Sequence, residues 1–218
     1  MSLKFNPDKI TSIIFFNPNM LKESSYKRSK YNILHQSQAQ INATIYPNED
    51  DSEKKQISSF KKFREENYRE IRRSGKFCEG LTALYIKESL KDCDAIVRIE
   101  SSMTRSKKLI GFATLKFMKS SKSLYIDTIC TNTDVKGTGS FMIKFLSDVT
   151  KELSLDGIKL NSVTEAVPFY LKMQFECDPT CKMIKTIEGG SKTPKNKTNK
   201  TNKTNKNKSR KNMTRRMH

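Results

Sequence analysis

The run Asp134-Val135-Lys136-Gly137-Thr138-Gly139-Ser140 is the most chemically suggestive stretch of this sequence. Two glycines spaced by one residue let a backbone turn sharply and come close to a ligand. The segment follows an apolar strand pattern and opens an amphipathic helical pattern, with Met142, Phe145, Leu146, Val149 and Leu153 on one face. First-turn amides of such a helix have no intrahelical partner and point one way, with the positive end of the helix dipole behind them. That arrangement suits a pyrophosphate. It is not a P-loop, which needs Gly-Lys-Ser/Thr, nor a dinucleotide fingerprint, which needs a third glycine where Met142 stands. Taken alone, a Gly-x-Gly is more simply the mark of a tight loop entering a helix.

A second constellation lies further on. Ala166-Val167-Pro168-Phe169-Tyr170-Leu171-Lys172-Met173-Gln174-Phe175-Glu176 places a Phe-Tyr pair on a short helix, joined to the glycine segment through a strand at 158–163. Two carboxylates stand on strands leading towards these segments: Asp127, and Glu100 at the end of a neighbouring strand. Either could relay a proton through water, or be an ordinary solvated or paired acid. Cys130 could form an acyl-cysteine, but no histidine stands near it to activate the thiol, so a small apolar packing role is the simpler reading.

The five cysteines (Cys78, Cys93, Cys130, Cys177, Cys181) are odd in number and scattered. With no signal-peptide pattern at the start, they predict free thiols in a reducing, intracellular setting, cytoplasmic or nuclear. Cys177 and Cys181 are the only close pair, and His35 and His218 are the only histidines, so no metal site is expected. No window is apolar enough to cross a bilayer, and no membrane partner is expected.

The elements that must position these residues follow from periodicity. Ile10–Phe16 reads as a strand closed by Asn17-Pro18-Asn19. Residues 20–47 are polar with scattered apolar positions, suggesting one or two short helices. After an acidic loop at 48–52, Ile57, Phe60, Phe63, Tyr68 and Ile71 recur at helical spacing until Ser74-Gly75. Strand patterns at 95–100, 109–118 and 123–131 have short polar connections and predict an antiparallel meander. A loop at 132–136, the helix at 137–153, a strand at 158–163, a short helix at 165–173 and one or two strands within 175–187 complete the body. The pattern implies an α/β (α+β) class, with a mixed, mostly antiparallel sheet flanked by helices.

Charge divides the chain. Residues 191–218 hold eleven of the 42 basic residues and no acid, so the net charge of +19 splits into +11 on this tail and +8 on the body. The tail, with Asn-Lys-Thr repeated, cannot bury enough apolar surface to fold and is expected to be disordered. It could hold nucleic acid or an acidic partner non-specifically through counterion release, or serve only as a solvated extension. The domain boundary falls at residue 188, with a folded body over 1–188 and the tail over 189–218.

The two motifs together, Lys-Gly-Thr-Gly-Ser after a strand and then Ala-x-x-Phe-Tyr-x-Lys-x-x-Phe-Glu, resemble the GCN5-related N-acetyltransferase superfamily. The similarity covers residues 95–187 and extends only loosely to the N-terminal third. It implies that two adjacent strands splay apart and that the pantetheine arm of acetyl-CoA, the acyl donor, fills the gap. Ile129, Cys130 and Thr131 would then present backbone groups to the pantetheine and thioester. Val135, Lys136, Gly137, Thr138, Gly139 and Ser140 would hold the pyrophosphate, with Phe169 and Tyr170 closing on the arm. Tyr170 matches the tyrosine that protonates the departing thiolate, and Asp127 is the candidate base. Three positions depart from the pattern. Asp134 stands where Arg or Gln is usual, and is expected to point away or cap the helix. Val163 replaces a frequent Asn, and Ser123 occupies the position of a glutamate base in some relatives. The implied activity is transfer of acetyl to a primary amine on a peptide, a lysine or a small molecule, by direct attack in a ternary complex. The alternatives are a catalytically weak acyl-CoA-binding module of the same fold, or a nucleic-acid-binding protein acting through its tail.

Overall fold

The computed structural model describes residues 9–19, 43–46, 51–73, 77–78, 80–102, 108–178 and 182–187, with backbone only at 43–46. The tail, the proposed boundary at 188, Ser74-Gly75 and most of 20–47 lie outside the described residues.

Among the described residues eight strands form one mixed sheet in the order β2-β1-β3-β4-β5-β6-β8-β7. They are β1 (Ile10–Phe16), β2 (Ala43–Tyr46), β3 (Ala95–Ser101), β4 (Lys108–Met118), β5 (Ser123–Thr131), β6 (Gly157–Asn161), β7 (Glu176–Cys177) and β8 (Lys182–Thr186). Pairing is antiparallel except between β1 and β2 and between β5 and β6. The β3–β4–β5 meander is as the alternating patterns predict. β2 corrects the expectation of helix in its segment. Ala-Thr-Ile-Tyr ahead of Pro47 is a short β-branched and aromatic run, which fits an edge strand better than a helix.

Among the described residues four α-helices cover the sheet: α1 (Glu53–Arg73), α2 (Ala83–Lys91), α3 (Thr138–Glu152) and α4 (Val167–Lys172). The periodic patterns do not single out α2, although Thr82 accepts a hydrogen bond from the Tyr85 amide as its N-cap and Ile86 and Leu90 are spaced for one buried face. On one side of the sheet α1 and α2 place Phe60, Ile71, Ile86 and Leu90 against Phe15, Ile96 and Phe112. On the other, α3 places Met142, Ile143, Phe145, Leu146 and Val149 against Ala113, Leu115, Leu124 and Leu160. Covered on both faces, β4 reads as a nearly continuous apolar run from Leu109 to Leu115.

One irregularity shapes everything that follows. The β4–β5 register slips between Thr114 and Leu115: Thr114 faces Thr128, but Leu115 faces Ile126, so Asp127 is an extra residue in β5. The side-chain alternation slips with it. Leu124 and Ile126 join the α3-side core, whereas Cys130 joins the α1/α2 side and Thr128 bonds to Ser89 of α2. Pairing of β5 with β6 stops at the same place, with Ile126 opposite Leu160 as the last matched pair.

Gly157 begins β6 opposite Thr186 of β8. A β-carbon there would lie 2.4 Å from the Lys185 carbonyl oxygen, a backbone atom that cannot swing away. Gly157→Ala should therefore destabilise the fold by about 1–3 kcal/mol, read as a lower urea midpoint with an unchanged m-value.

Candidate active site

Beyond Ile126 the gap between β5 and β6 opens into a cleft of about 540 Å³, and a second chamber of about 390 Å³ adjoins it at the start of α3. Ile129, Cys130, Thr131 and Tyr170 line both chambers. The first has α2 and its preceding loop as one wall (Cys78, Leu81, Tyr85) and the β6–α4 connection as the other (Ser162, Val163, Glu165, Ala166). The second adds Gly137, Gly139, Ser140 and Phe169.

The backbone of the splayed strand is available to a ligand in a defined phase. The Asn132 amide donates to the Ile110 carbonyl at 2.8 Å, continuing the β4–β5 register. Hydrogen-bonded pairs alternate along an antiparallel ladder, so Cys130/Phe112 and Thr128/Thr114 exchange bonds within the sheet. Ile129 and Thr131 therefore turn their amides and carbonyls to the opposite edge, into the cleft. Cys130 spends its backbone on β4.

The amide row at the start of α3 is equally open. Gly137 sits in the left-handed region with φ 95°, and no side chain caps the helix. Asn132, itself buried, accepts from the Asp134 amide at 2.8 Å and fixes the turn, while Thr138 Oγ1 donates to the Val135 carbonyl at 2.9 Å. Val135 and Thr138 are thus buried supports, and Lys136 is exposed beside the turn. Asp134 does not cap the helix, which corrects one of the two roles expected for it. Among the described residues, nothing bonds to the amides of Gly139 and Ser140.

Tyr170 is only 5 % exposed and is held edge-on between Phe169 and Phe175, with ring centroids 5.1 and 5.4 Å away. Burial pushes its phenol up to about 12. No described group hydrogen-bonds its hydroxyl.

Asp127 lines the cleft but is not idle. Its Oδ2 accepts from Ser89 Oγ at 2.5 Å, its Oδ1 lies 3.7 Å from Lys116 Nζ, and its carbonyl accepts from Tyr85 Oη at 3.0 Å. Ser89 Oγ in turn accepts from Thr128 at 2.8 Å and touches the Thr114 hydroxyl. Glu100 is not brought to this cleft. It pairs with Arg98 at 2.5 Å and lines a separate polar cavity under α1 with Asn67 and Glu70. Ser123 lies at the far end of β5, bonded to Ser121.

The structure overturns the expectation of free thiols for two cysteines: Cys78 and Cys130 form a disulfide at the cleft wall. The residues are far apart in sequence, so no spacing rule pairs them; the bulge that turns Cys130 to the α2 face does. An acyl-cysteine at Cys130 is closed off while its sulfur is so bonded, and the thiol-based support for a reducing compartment falls with it. Cys93 is buried, donates to the Leu90 carbonyl and has its thiol pushed up to about 12 by desolvation. Among the described residues no cluster of potential metal ligands occurs, and no helix is long and apolar enough to cross a membrane. The residues that sequence reasoning missed, Cys78, Tyr85 and Ser89, all belong to α2 and the loop before it.

Neither a protein-family model nor a curated protein matches the sequence. Among solved structures the chain is similar to Tetrahymena GCN5 (12% identity, 65% of this chain and 94% of that one, TM-score 0.46). It is also similar to the ribosomal-protein-S18-alanine N-acetyltransferase of Escherichia coli (13%, 57% and 87%, 0.44). A putative N-acetyltransferase from Lactobacillus plantarum matches at 13% identity over 81% of this chain and 99% of that one, with TM-score 0.42. Likenesses this distant carry no functional weight. In its motif order and in its own sheet topology, with the meander, the splayed parallel pair and the glycine-led helix between them, the chain resembles the GCN5-related N-acetyltransferases.

Non-reducing peptide mapping should return a linked Cys78–Cys130 peptide. Alkylation of the native protein at pH 8 should leave Cys93 unmodified until denaturant exposes it. Rapid native labelling of Cys93 would contradict its burial.

Proposed function

We propose that the protein transfers acetyl from acetyl-CoA to a primary amine by direct attack within a ternary complex. One observation carries this reading: two adjoining chambers that share Ile129, Cys130, Thr131 and Tyr170 bring together the unbonded first-turn amides of α3, the turned-out backbone of Ile129 and Thr131, and the Tyr170 side chain. Such a cleft suits an extended ligand with an anionic end and an amide-bearing arm. The helix N-terminus receives the pyrophosphate, with Gly137, Gly139 and Ser140 in contact and Lys136 adding charge. The amides and carbonyls of Ile129 and Thr131 pair with the pantetheine as a β-strand would.

The chemistry then needs few parts. The neutral amine attacks the thioester carbonyl, so that an N–C bond forms and the C–S bond breaks. The Ile129 amide, aimed into the cleft, is placed to stabilise the developing oxyanion. Tyr170 donates a hydrogen bond to the leaving sulfur. Asp127, the carboxylate on the floor of the cleft, takes the amine proton through water. A catalytically weak acyl-CoA-binding module is the second reading, favoured by the engagement of both Asp127 oxygens, one with Ser89 and one with Lys116.

Ser140 is exposed at the third position of α3, where a carboxylate stabilises a helix yet opposes a phosphate. Ser140→Asp should keep the thermal midpoint of the wild type and weaken acetyl-CoA binding by about tenfold or more in calorimetry. Equal affinity in the two proteins would remove the phosphate site from this helix.

Tyr170→Phe should lower kcat by about 10²-fold with little change in acetyl-CoA affinity. Because burial raises the phenol to about 12, it stays protonated while acceptor amines lose their protons. In the wild type kcat/KM should therefore climb with pH to a plateau set by the amine, with no descending limb until pH nears 12. A descending limb near pH 9 would assign the essential acid to another group.

A further inference from the structure

The acceptor side of the cleft has a chemical character of its own, and reading it rests on the acyl transfer proposed above. Its two lips are apolar and unusually exposed. Leu81 and Tyr85 on the α2 side are 37 % and 44 % exposed, with Leu84 beside them at 68 %, and Val163 on the opposite lip is 65 % exposed. Three of these line the cleft directly. Leu84 and Val163 are the two most exposed large apolar side chains among the described residues. Clustered apolar exposure of this kind marks a surface that meets a partner.

The α2 lip is also held in place. Cys78 is tied to β5 by the disulfide, the Leu81 amide donates to the Cys78 carbonyl at 3.1 Å, and Tyr85 Oη donates to the Asp127 carbonyl at 3.0 Å. Rigid apolar side chains at the mouth of a reaction cleft discriminate by fit rather than by charge. Charge points the same way. Among the described lining residues the carboxylates are Asp127, already bonded to Ser89, and Glu165 on the Val163 lip. A polycationic acceptor would meet one unengaged acid in the cleft and a protein body of net charge +8.

We propose that the acceptor is a polypeptide amine flanked within one or two residues by a bulky apolar side chain, which seats between the Leu81–Tyr85 lip and Val163. Glu165 attracts the incoming ammonium, and the apolar neighbour is buried as the amine reaches the thioester. Polyamines and other multiply charged small amines are poor acceptors.

The test uses the full chain, acetyl-CoA and coenzyme A release as the readout. Four acceptors are compared: an octapeptide beginning Met-Leu, its counterpart beginning Ser-Asp, an N-terminally blocked peptide with an internal lysine between leucines, and spermidine. At least one apolar-flanked peptide should exceed both the Ser-Asp peptide and spermidine by about tenfold or more in kcat/KM, the usual worth of an apolar group in a specificity pocket. Whether the Met-Leu or the lysine peptide leads identifies which kind of amine is used. Val163→Asp and Leu84→Asp should erase the preference while leaving acetyl-CoA affinity unchanged in calorimetry. Equal rates across the peptides, spermidine as the best acceptor, or no turnover of any acceptor by protein that binds acetyl-CoA would each overturn the proposal. Failure of the wild type to bind acetyl-CoA would instead remove the acyl-transfer reading beneath it.

Discussion

The cleft exists because of one extra residue in β5. A parallel pair of strands has no reason to separate while register and twist agree, and β5 and β6 stay together from Ser123 to Ile126. Insertion of Asp127 against β4 adds local twist and swaps the faces presented by the residues after it. A bulge of this kind leaves polar groups that the ladder no longer satisfies, and buried polar groups without partners are costly. Here they are satisfied from α2: Ser89 takes the Asp127 carboxylate and the Thr128 hydroxyl, and Tyr85 takes the Asp127 carbonyl. The short polar network holds the strand open, and so the free edge of Ile129 and Thr131 is a standing feature of the fold.

The second half of the site depends on packing rather than on hydrogen bonds. The direction of α3 is set by its buried stripe, and Met142 is pressed against β4 so closely that a β-carbon on Gly111 would lie 2.7 Å from its Cε. Below the helix start, Asn132, Val135 and Thr138 form an internally bonded turn that keeps their polar groups occupied. The result is a division of labour: every third position, at 132, 135 and 138, is buried and bonded, whereas Gly137, Gly139 and Ser140 line the chamber. An uncapped helix N-terminus forgoes about 1 kcal/mol of capping stabilisation. A rigid, well-packed helix can leave its first amides unbonded in that way, ready for an anionic ligand.

What could be read from the sequence follows the same physical division. Strong periodicity marked β1, the β3–β5 meander, α1 and α3, because in these elements burial of one face or two decides the structure. The glycine segment and the Phe-Tyr pair were visible because their chemistry is local: a positive φ at Gly137 and an aromatic stack around Tyr170 involve neighbours in the chain. The α2 wall of the cleft was not visible. Cys78, Tyr85 and Ser89 acquire their roles only from contacts with β5, dozens of residues away, and nothing local distinguishes them from ordinary helix and loop residues. The bulge was equally hidden, since Ser-Leu-Tyr-Ile-Asp-Thr-Ile-Cys-Thr alternates well enough to pass for a regular strand. An odd, scattered set of cysteines gives no sign of the Cys78–Cys130 bond, and the slip that makes that bond possible also leaves the Cys130 backbone on β4.

The environment of Tyr170 also refines what a tyrosine can do there. An ordinary thiol ionises at about 8.5, whereas burial among Phe169, Phe175 and the cleft backbone raises the phenol to about 12. Outright transfer of the phenolic proton to the departing sulfur would then run uphill by more than three powers of ten. Donation of a hydrogen bond has no such penalty, and it strengthens as charge accumulates on sulfur in a water-poor site. The same burial that makes Tyr170 a poor acid makes it a constant donor, protonated at every pH at which an amine can attack. In the proposed transfer, coenzyme A leaves as the thiolate and collects its proton from solvent. On the proposed reaction, net acid–base work falls on the amine side, where Asp127 lines the cleft.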